Sequence, residues 1–211
     1  MKPLVVKLGG SMAGHPDMQR WIDVLASAGF PVIIVPGGGP FAEQVRAAQE
    51  PMSYSDEAAH AMAILAMDQF GIAVAERNPH LRTARTRGHI ETLLDEGFVA
   101  VWLPSSMTLG APDIPCSWEV TSDSLSAWLA RQLDADDLLL VKRTDAYRCC
   151  ADLAHLAAAG IVDGMLPHML GENTTLHLAG PAVLDGLDLP LASIPGHGIM
   201  RQEATETMDT Q

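Results

Sequence analysis

The chain has 211 residues, of which 48% are hydrophobic and 18% are charged, a composition typical of a globular protein with a sizeable core. Its 13 Lys and Arg residues stand against 26 Asp and Glu residues, which gives a formal net charge of −13. Nucleic acids and acidic membranes require a basic surface, so this balance argues against both as partners. It does not exclude a small phosphorylated molecule, because a few local cations and Mg²⁺ are enough to bind one.

The cysteines and the N-terminus indicate a soluble, cytoplasmic protein. Cys116, Cys149 and Cys150 do not form a C-x-x-C pair, so we expect reduced thiols rather than a disulfide framework or a zinc site. The apolar run in "MKPLVVKLGG" is too short for a signal peptide, and no segment predicts a transmembrane span. The histidines have no metal-ligand spacing, and no metal site is assigned to them.

Short apolar runs alternate with amphipathic stretches along most of the chain. In chain order, the pattern predicts a strand at 4–8, a helix at 15–29, a strand at 31–36, helices at 41–50, 54–71 and 89–97, a strand at 98–104, a helix at 121–133, a strand at 137–142, a helix at 151–160 and a strand at 174–180. Ser55 is the expected N-cap of the third helix and Gly71 its expected end.

This alternation predicts an α/β fold, in which a parallel sheet is covered by helices on both faces. No internal repeat, low-complexity block or linker interrupts the pattern. We therefore expect one domain over residues 1–200, followed by a polar C-terminal tail at 201–211.

Two predicted strands run straight into glycines. Strand 4–8 is followed by Gly9, Gly10 and Ser11, and strand 31–36 by Gly37, Gly38 and Gly39. Glycine lets backbone N–H groups approach an anion closely, and ligands of parallel sheets bind at the carboxyl ends of the strands. Lys7 precedes the first turn, where a buried cation requires a negative partner. Two such turns suggest two anionic groups, one on each side of a transfer reaction.

Other interpretations of these turns are weaker. The pattern Gly37-x-Gly39-x-x-Ala42 matches a dinucleotide fingerprint, but no acid follows at the end of a second strand. Gly10 and Ser11 resemble a nucleophile elbow without its closing glycine, and no Walker P-loop occurs. Either turn alone could also be only a tight connection between a strand and a helix.

At this point the motifs resemble those of a known family. "VVKLGGS", "VIIVPGGGP", "TSDSLSAWLA" and "LLLVKRTDAY" are similar, in this order over residues 4–147, to the successive motifs of the amino acid kinase superfamily. "AAAGIVDGMLP" and "TTLHLAG" resemble later segments, and "GHGIM" resembles the final strand of the family. The resemblance implies a three-layer αβα sandwich with a mostly parallel sheet, ATP with Mg²⁺ as the phosphoryl donor, and a small anionic acceptor.

The resemblance also implies roles for individual residues. Catalytic roles would belong to Lys7, which contacts the transferring phosphoryl group, to Asp123, which orients the lysines, and to Lys142. Phosphate oxygens would lie against Gly9, Gly10 and Ser11, and the acceptor against Gly37, Gly38 and Gly39. The nucleotide would lie beside Thr144, Asp145 and Tyr147. Phosphoryl transfer depends on alignment and charge stabilisation, so lysines and amides suffice without a covalent nucleophile.

One position departs from the acetylglutamate kinase pattern. Where that enzyme carries a second catalytic lysine, this chain has Pro167 and His168. Members related to uridylate kinase place a lysine just before the "TD" stretch instead, as Lys142 is placed here. We therefore expect Lys142 to supply the second positive charge; whether His168 replaces the missing lysine stays open.

The segment "YSDEAAHAMAILAMDQFG" indicates the acceptor. It resembles small kinases of one-carbon coenzyme pathways in methanogens and methylotrophs, which implies [5-(aminomethyl)furan-3-yl]methyl phosphate as acceptor in a methanofuran-type synthesis. Asp56 and His60 are four residues apart on one helix and could reach one ligand. Equally, Asp56 could simply favour the helix N-terminus, and His60 could be a packed residue.

Three alternatives remain at this stage. The acceptor could be a nucleoside monophosphate or an isoprenoid phosphate, or the chain could be a non-catalytic nucleotide-binding subunit that keeps the fold. Whether Lys7, Asp123 and Lys142 converge on one cleft separates a kinase from a binding subunit, which need not keep all three. An apolar helix such as 58–67 could serve a homo-oligomer interface as easily as the core.

Overall fold

The computed structural model describes residues 1–150 and 152–199. Its strands are β1 Leu4–Leu8, β2 Val32–Pro36, β3 Leu81–Ala84, β4 Val99–Trp102, β5 Asp137–Val141, β6 Thr175–Ala179 and β7 His197–Ile199. They form one seven-stranded sheet in the order β3-β4-β2-β1-β5-β6-β7. Neighbouring strands are parallel except β7, which is antiparallel to β6.

Nine helices connect these strands within the described ranges. They are α1 Pro16–Ala26, α2 Gly39–Met52, α3 Asp56–Ala75, α4 Arg87–Asp95, α5 Ser105–Thr108, α6 Ser122–Gln132, α7 Leu153–Ala158, α8 Leu166–Met169 and α9 Pro181–Leu184. Two short 3₁₀ turns follow the central strands, at Gly10–Met12 after β1 and at Ala146–Cys149 after β5.

The hydrophobic core lies on both faces of the sheet. Alternate residues of the buried strands point to opposite faces, so Ile33 packs in one cluster with Trp128 of α6, and Ile34 packs in the other with Trp21 of α1. The strands are apolar at nearly every position because both faces are covered. The predicted three-layer α/β architecture with a mostly parallel sheet is therefore confirmed.

The structure also differs from the predicted elements. The five strands predicted from apolar runs are present, and the family-like "GHGIM" segment contributes β7. Strand β3 was not predicted, because it is a four-residue edge strand whose Arg82 is exposed and whose Thr83 is only partly buried. The helix predicted at 151–160 is present as α7, while Ala151 and the predicted tail at 201–211 lie outside the described residues. The single domain over 1–200 stays a prediction.

The predicted end of the third helix is wrong. Helix α3 passes through Gly71 and continues to Ala75, where it is capped by Glu76. A Cβ atom on Gly71 would lie 2.6 Å from Cδ2 of Leu103 and 3.1 Å from Cγ of Pro36. Glycine is therefore required at this position for close packing of the helix on the sheet, not for helix termination.

Helix α3 is long as well as apolar. It is long and apolar enough to span a membrane by length and composition alone, but half of its apolar window is buried inside the fold. A buried core helix passes the same test, so this helix gives only weak evidence for a membrane. Among the described residues, no other helix is both long and apolar enough to span a membrane.

The two glycine turns contact each other through their backbones. A Cβ atom on Gly37 would lie 2.2 Å from the backbone N of Gly10, and one on Gly10 would lie 2.2 Å from the backbone N of Gly39. Gly39 also has a φ of +55°, which disfavours residues with a side chain. The glycines thus bring the ends of β1 and β2 closer together than any other residue type would allow.

The contact between the glycine turns predicts that alanine substitutions at two glycines will differ in their effect on stability. Gly37→Ala should lower the free energy of unfolding by about 3 kcal/mol or more, because the added methyl group meets rigid backbone atoms. Gly88→Ala, in the first turn of α4, meets no atom within 4 Å and should be neutral or stabilising by up to about 1 kcal/mol. Urea unfolding of both variants measures the difference. Equal stabilities would contradict the packing argument.

Candidate active site

Lys7, Asp123 and Lys142 form one cluster at the carboxyl end of the sheet. Lys142 Nζ lies 2.7 Å from Asp123 Oδ2 and donates a hydrogen bond to it, and Lys7 Nζ lies 3.0 Å from Asp123 Oδ1. The Lys7 contact lacks hydrogen-bond geometry, so Asp123 Oδ1 is buried without a hydrogen-bond donor among the described residues. All three side chains are largely buried, with 12%, 7% and 11% of their surfaces exposed.

The sheet register explains why the lysines meet. Lys7 shares a sheet face with Val5, and that face is covered by α6. Strands β1 and β5 are hydrogen-bonded neighbours, and Lys142 directly follows the last residue of β5. Asp123 lies in the first turn of α6, whose N-cap Thr121 accepts a hydrogen bond from the backbone N–H of Asp123.

Burial and charge set the protonation of this cluster. Burial lowers the pKa of the Lys142 ammonium to about 8, and the neighbouring Lys7 charge acts in the same direction, against the opposing effects of Asp123 and Asp163. Burial alone would raise the pKa of Asp123, but the charges of Lys7 and Lys142 outweigh it and hold that pKa below its usual value. At pH 7 the cluster therefore holds two ammonium groups and one carboxylate.

Backbone donors of the glycine turns lie beside this cluster. A Cβ atom on Gly9 would lie 3.0 Å from Lys7 Nζ, so the Lys7 ammonium lies directly against the first turn. Within residues 1–150 and 152–199, no acceptor is paired with the backbone N–H groups of Gly9, Gly10 and Gly38. Unpaired amides next to ammonium groups are the donor set that phosphate oxygens require.

An open cleft of about 510 Å³ lies outside the first turn. It is lined by Gly10, Ser11, Glu43 and Arg143, among others. Ser11 is exposed there, and Arg143 Nη1 donates a hydrogen bond to the Ser11 carbonyl over 3.2 Å. The cleft and the buried lysines thus share the turn at Gly9–Ser11 as a common wall.

A second, smaller pocket lies on the side of the other glycine turn. Its volume is about 120 Å³, and its walls come from α2, from α3 and from the chain at the start of α6. Gly38, His60, Thr121 and Ser122 are among its lining residues. Because Asp123 follows Ser122 in the same helical turn, this pocket directly adjoins the lysine cluster.

Two pocket residues were not predicted from the sequence. The guanidinium of Arg46 lies 4.5 Å from the ring centroid of Trp118, and both side chains line the pocket. The missed signal was helical spacing, because Gly38, Ala42 and Arg46 are successively four residues apart and share one face of α2. Trp118 lies in an irregular segment before α6, where no periodicity could have indicated it.

The structure separates Asp56 from His60. His60 is 7% exposed and lines the pocket, and burial lowers the pKa of its imidazole, which is therefore neutral at pH 7. Asp56 is exposed at the start of α3 and is not among the lining residues. Its carboxylate accepts a hydrogen bond from Gln49 Nε2 over 2.7 Å, and Gln49 Oε1 in turn accepts one from Trp118 Nε1 over 2.8 Å. Asp56 thus supports the pocket wall through Gln49 and Trp118.

The residues predicted to lie beside the nucleotide follow β5. Asp145 Oδ2 accepts a hydrogen bond from the backbone N–H of Ala182, and the buried Tyr147 hydroxyl accepts one from Gly180. These bonds join the end of β5 to the end of β6. Thr144 is exposed and its hydroxyl accepts a bond from Ala146 N–H. Their nucleotide-binding role stays a prediction. His168 is exposed, and whether it replaces the missing lysine stays open.

The buried charges predict a strong, pH-dependent effect of Asp123→Asn. This substitution leaves two buried ammonium groups without a counter-charge, so the free energy of unfolding at pH 7 should fall by about 3–5 kcal/mol. Removing Asp123 lowers the pKa of Lys142 further. The variant's folded state then binds fewer protons than its unfolded state. The stability lost through the substitution should therefore shrink as the pH rises toward about 8. Urea unfolding of the wild type and of Asp123→Asn at several pH values measures this difference in stability.

Glu91→Gln is the matched control for that substitution. It removes the acid of an exposed i, i+4 pair with Arg87, and it should cost about 0.5 kcal/mol without this pH trend. If Asp123→Asn costs no more than the control, Asp123 does not balance the two lysines.

Comparison with known proteins places the chain in a family. The model of the amino acid kinase family matches residues 2–146. Over 143 residues, 67% of this chain and 66% of the relative, the chain is 29% identical to [5-(aminomethyl)furan-3-yl]methyl phosphate kinase of Methanocaldococcus jannaschii. The match thus spans just under two thirds of that relative's length.

Solved structures show a similar fold. Uridylate kinase of Archaeoglobus fulgidus matches with a TM-score of 0.52 and 22% identity, over 69% of this chain and 64% of that one. UMP kinases of Ureaplasma parvum and Bacillus anthracis match with TM-scores of 0.61 and 0.62 and identities of 14% and 16%. They cover 86% and 87% of this chain and 90% and 88% of their own. The motif order, the sheet and the family match agree, and the chain belongs to the amino acid kinase family.

Proposed function

We propose that this chain is a kinase that transfers the γ-phosphoryl group of ATP, with Mg²⁺, to a small phosphate monoester. The observation that carries the proposal is the convergence of Lys7 and Lys142 on one buried aspartate, Asp123, beside two glycine turns with unpaired amides. A tight connection between strand and helix requires the glycines but not the two buried lysines. Family membership and the kinase names of the relatives support the same reaction class.

The chain's own residues account for the chemistry of transfer. The ammonium groups of Lys7 and Lys142 would balance the charge that spreads over the transferring oxygens, and the amides of Gly9 and Gly10 would hold the donor phosphates. Asp123 would keep the two lysines at fixed positions. An acceptor phosphate is already ionised, so the site requires no general base to activate it.

The donor set also fits the expected cofactors. The first glycine turn and the adjoining cleft would hold the nucleotide phosphates, and Mg²⁺ would neutralise part of their charge. Among the described residues, no group of three His, Cys, Asp or Glu side chains could hold a metal ion. Mg²⁺ commonly takes most of its ligands from nucleotide phosphates and water, so a protein cage is not required.

The small pocket is the proposed acceptor site. Its volume of about 120 Å³ lies below the roughly 300–1,000 Å³ of pockets that hold drug-sized ligands, which favours a small ring over a nucleoside. Trp118 offers a flat aromatic surface and Ile64 an apolar one, and Gly38 brings the backbone of the second glycine turn into the lining. We propose [5-(aminomethyl)furan-3-yl]methyl phosphate as acceptor, on the strength of this size and of the 29% identical relative.

The pocket does not provide a carboxylate for the aminomethyl group. Its described lining contains Arg46 and the neutral His60 but no Asp or Glu side chain. Asp56 is outside the lining and reaches the lining residue Trp118 only through Gln49. An uncharged analogue of the furan ester is therefore an informative second acceptor to test.

The decisive experiment measures ADP release from Mg·ATP over a panel of acceptors. The panel contains the aminomethylfuran ester, its hydroxymethyl analogue, UMP, isopentenyl phosphate and acetylglutamate. We expect turnover with the furan esters, and Lys7→Ala should reduce it by about 100-fold or more because one charge on the transferring group is lost. Turnover with UMP instead would support a nucleoside monophosphate kinase.

Lys2→Ala is the matched control for Lys7→Ala. Lys2 precedes the same strand, but it lies at the opposite end of the sheet, where it pairs with the exposed Asp134 and Asp136. This variant should keep wild-type turnover. Measurable ATP binding without turnover on any acceptor would instead support a non-catalytic nucleotide-binding subunit, and absence of ATP binding would contradict both functions.

We further propose a homo-oligomer that buries the outer face of α3. This face and its neighbour α2 leave large apolar side chains exposed: Phe41 (40%), Leu65 (45%) and Ile72 (47%). Leu65→Glu should reduce the molecular mass in solution, measured by light scattering, whereas Leu109→Glu at an exposed leucine elsewhere should not. A wild-type mass of one chain would contradict the proposal. A cytoplasmic location stays a prediction.

A further inference from the structure

Asp163 joins two segments of the chain, the start of α6 and the start of α8, through one carboxylate. Its Oδ2 accepts hydrogen bonds from Thr121 N–H (3.2 Å), from the Thr121 hydroxyl (2.6 Å) and from Ser124 N–H (3.0 Å). Its Oδ1 accepts bonds from the Ser124 hydroxyl, from Met165 N–H (3.1 Å) and from Leu166 N–H (2.8 Å). Six donors therefore converge on a side chain that the sequence analysis did not single out.

These bonds lie on both sides of Asp123. Thr121 is the N-cap of α6 and Ser124 is its third residue, so Asp163 fixes the single helical turn that carries Asp123. The same carboxylate holds the start of α8, which packs against α6. The position of Asp123 between the two lysines thus depends on a residue about forty positions later in the chain.

We propose that Asp163 is a positioning residue for phosphoryl transfer, which holds Asp123 between Lys7 and Lys142 and adds a negative charge beside Lys142. This inference rests on the proposed kinase function. Asp163 does not touch the reacting atoms; it acts through the turn at 121–124. Only a carboxylate offers two oxygens that can each accept three hydrogen bonds here. In an asparagine, the amide nitrogen is a donor and would face three other donors.

Three charged groups from three different elements act on Lys142. Strand β1 contributes Lys7, helix α6 contributes Asp123, and the loop before α8 contributes Asp163. Lys7 disfavours the ammonium form of Lys142, and the two acids favour it. Asp123 and Asp163 together therefore keep Lys142 charged near neutral pH. Without Asp163, the single carboxylate of Asp123 would face the ammonium groups of both lysines.

The test compares Asp163→Asn with Asp113→Asn. Asp113 also anchors α6, through bonds from Trp128 Nε1 and Arg131, but in the C-terminal half of the helix instead of the turn that carries Asp123. In the acceptor assay we expect Asp163→Asn to lower kcat by about 10- to 100-fold, with smaller changes in the KM values, because the reacting groups are misaligned. Asp113→Asn should stay within about twofold of the wild type. A kcat for Asp163→Asn equal to that of Asp113→Asn overturns the proposal.

The pH dependence separates positioning from general destabilisation. Loss of the Asp163 charge lowers the pKa of Lys142, so the alkaline fall of kcat should move to lower pH in Asp163→Asn and not in Asp113→Asn. The same shift should appear in the acetylation of Lys142 by acetic anhydride across pH, read by mass spectrometry. If the titration of Lys142 is the same in Asp163→Asn as in the wild type, the proposed effect of the Asp163 charge on Lys142 is overturned.

The acetylation measurement requires no turnover. If the wild type uses no acceptor, the kinase function fails, while the titration of Lys142 still decides whether Asp163 acts on it. If Asp163→Asn does not fold, Ser124→Ala replaces it, because this variant removes one bond and keeps the charge. It should lower kcat severalfold without moving the alkaline limb, and an unchanged kcat overturns the positioning role.

Discussion

The ion cluster of Lys7, Asp123 and Lys142 is the constraint on which the candidate site depends. Two ammonium groups and one carboxylate are removed from water, and each is tolerated only because the others are present. The cluster retains one excess positive charge in a chain whose formal net charge is −13. Asp163 offsets this charge beside Lys142, so the unpaired amides of the glycine turns would also be required to attract an anionic ligand to this end of the sheet.

The fold places this cluster with few elements. Parallel strands β1 and β5 lie side by side and end together, so lysines at the end of each strand meet on the face that α6 covers. The first turn of α6 then presents Asp123 to both. In a parallel sheet with crossover helices, the carboxyl ends of the strands and the following helix starts meet at one edge. Lys7, Asp123 and Lys142 therefore lie close together although they are distant in sequence.

Much of this arrangement could be predicted from the sequence, because it follows from local patterns. Apolar runs identified the central strands, the glycines after β1 and β2 identified the binding edge, and the motif order identified Lys7, Asp123 and Lys142. Other features depend on packing that no local pattern records. Gly71 resembles a helix stop but fits a contact with Leu103. Asp163 and Trp118 act through side-chain partners that are distant along the chain, and Asp56 supports a wall instead of facing a ligand.

The contact between the two glycine turns has a consequence for how this fold could diversify. Backbone atoms form that contact, so the spacing of the two turns depends on the glycines themselves and on the close packing of Gly39 against Phe70 of α3. The small pocket, in contrast, is shaped mainly by side chains of those two helices and of the segment before α6. In the proposed kinase, acceptor selectivity and phosphoryl transfer would therefore depend on largely different residues, with Gly38 common to both. A lineage could exchange one acceptor for another through a few helix substitutions while the transfer machinery stayed intact.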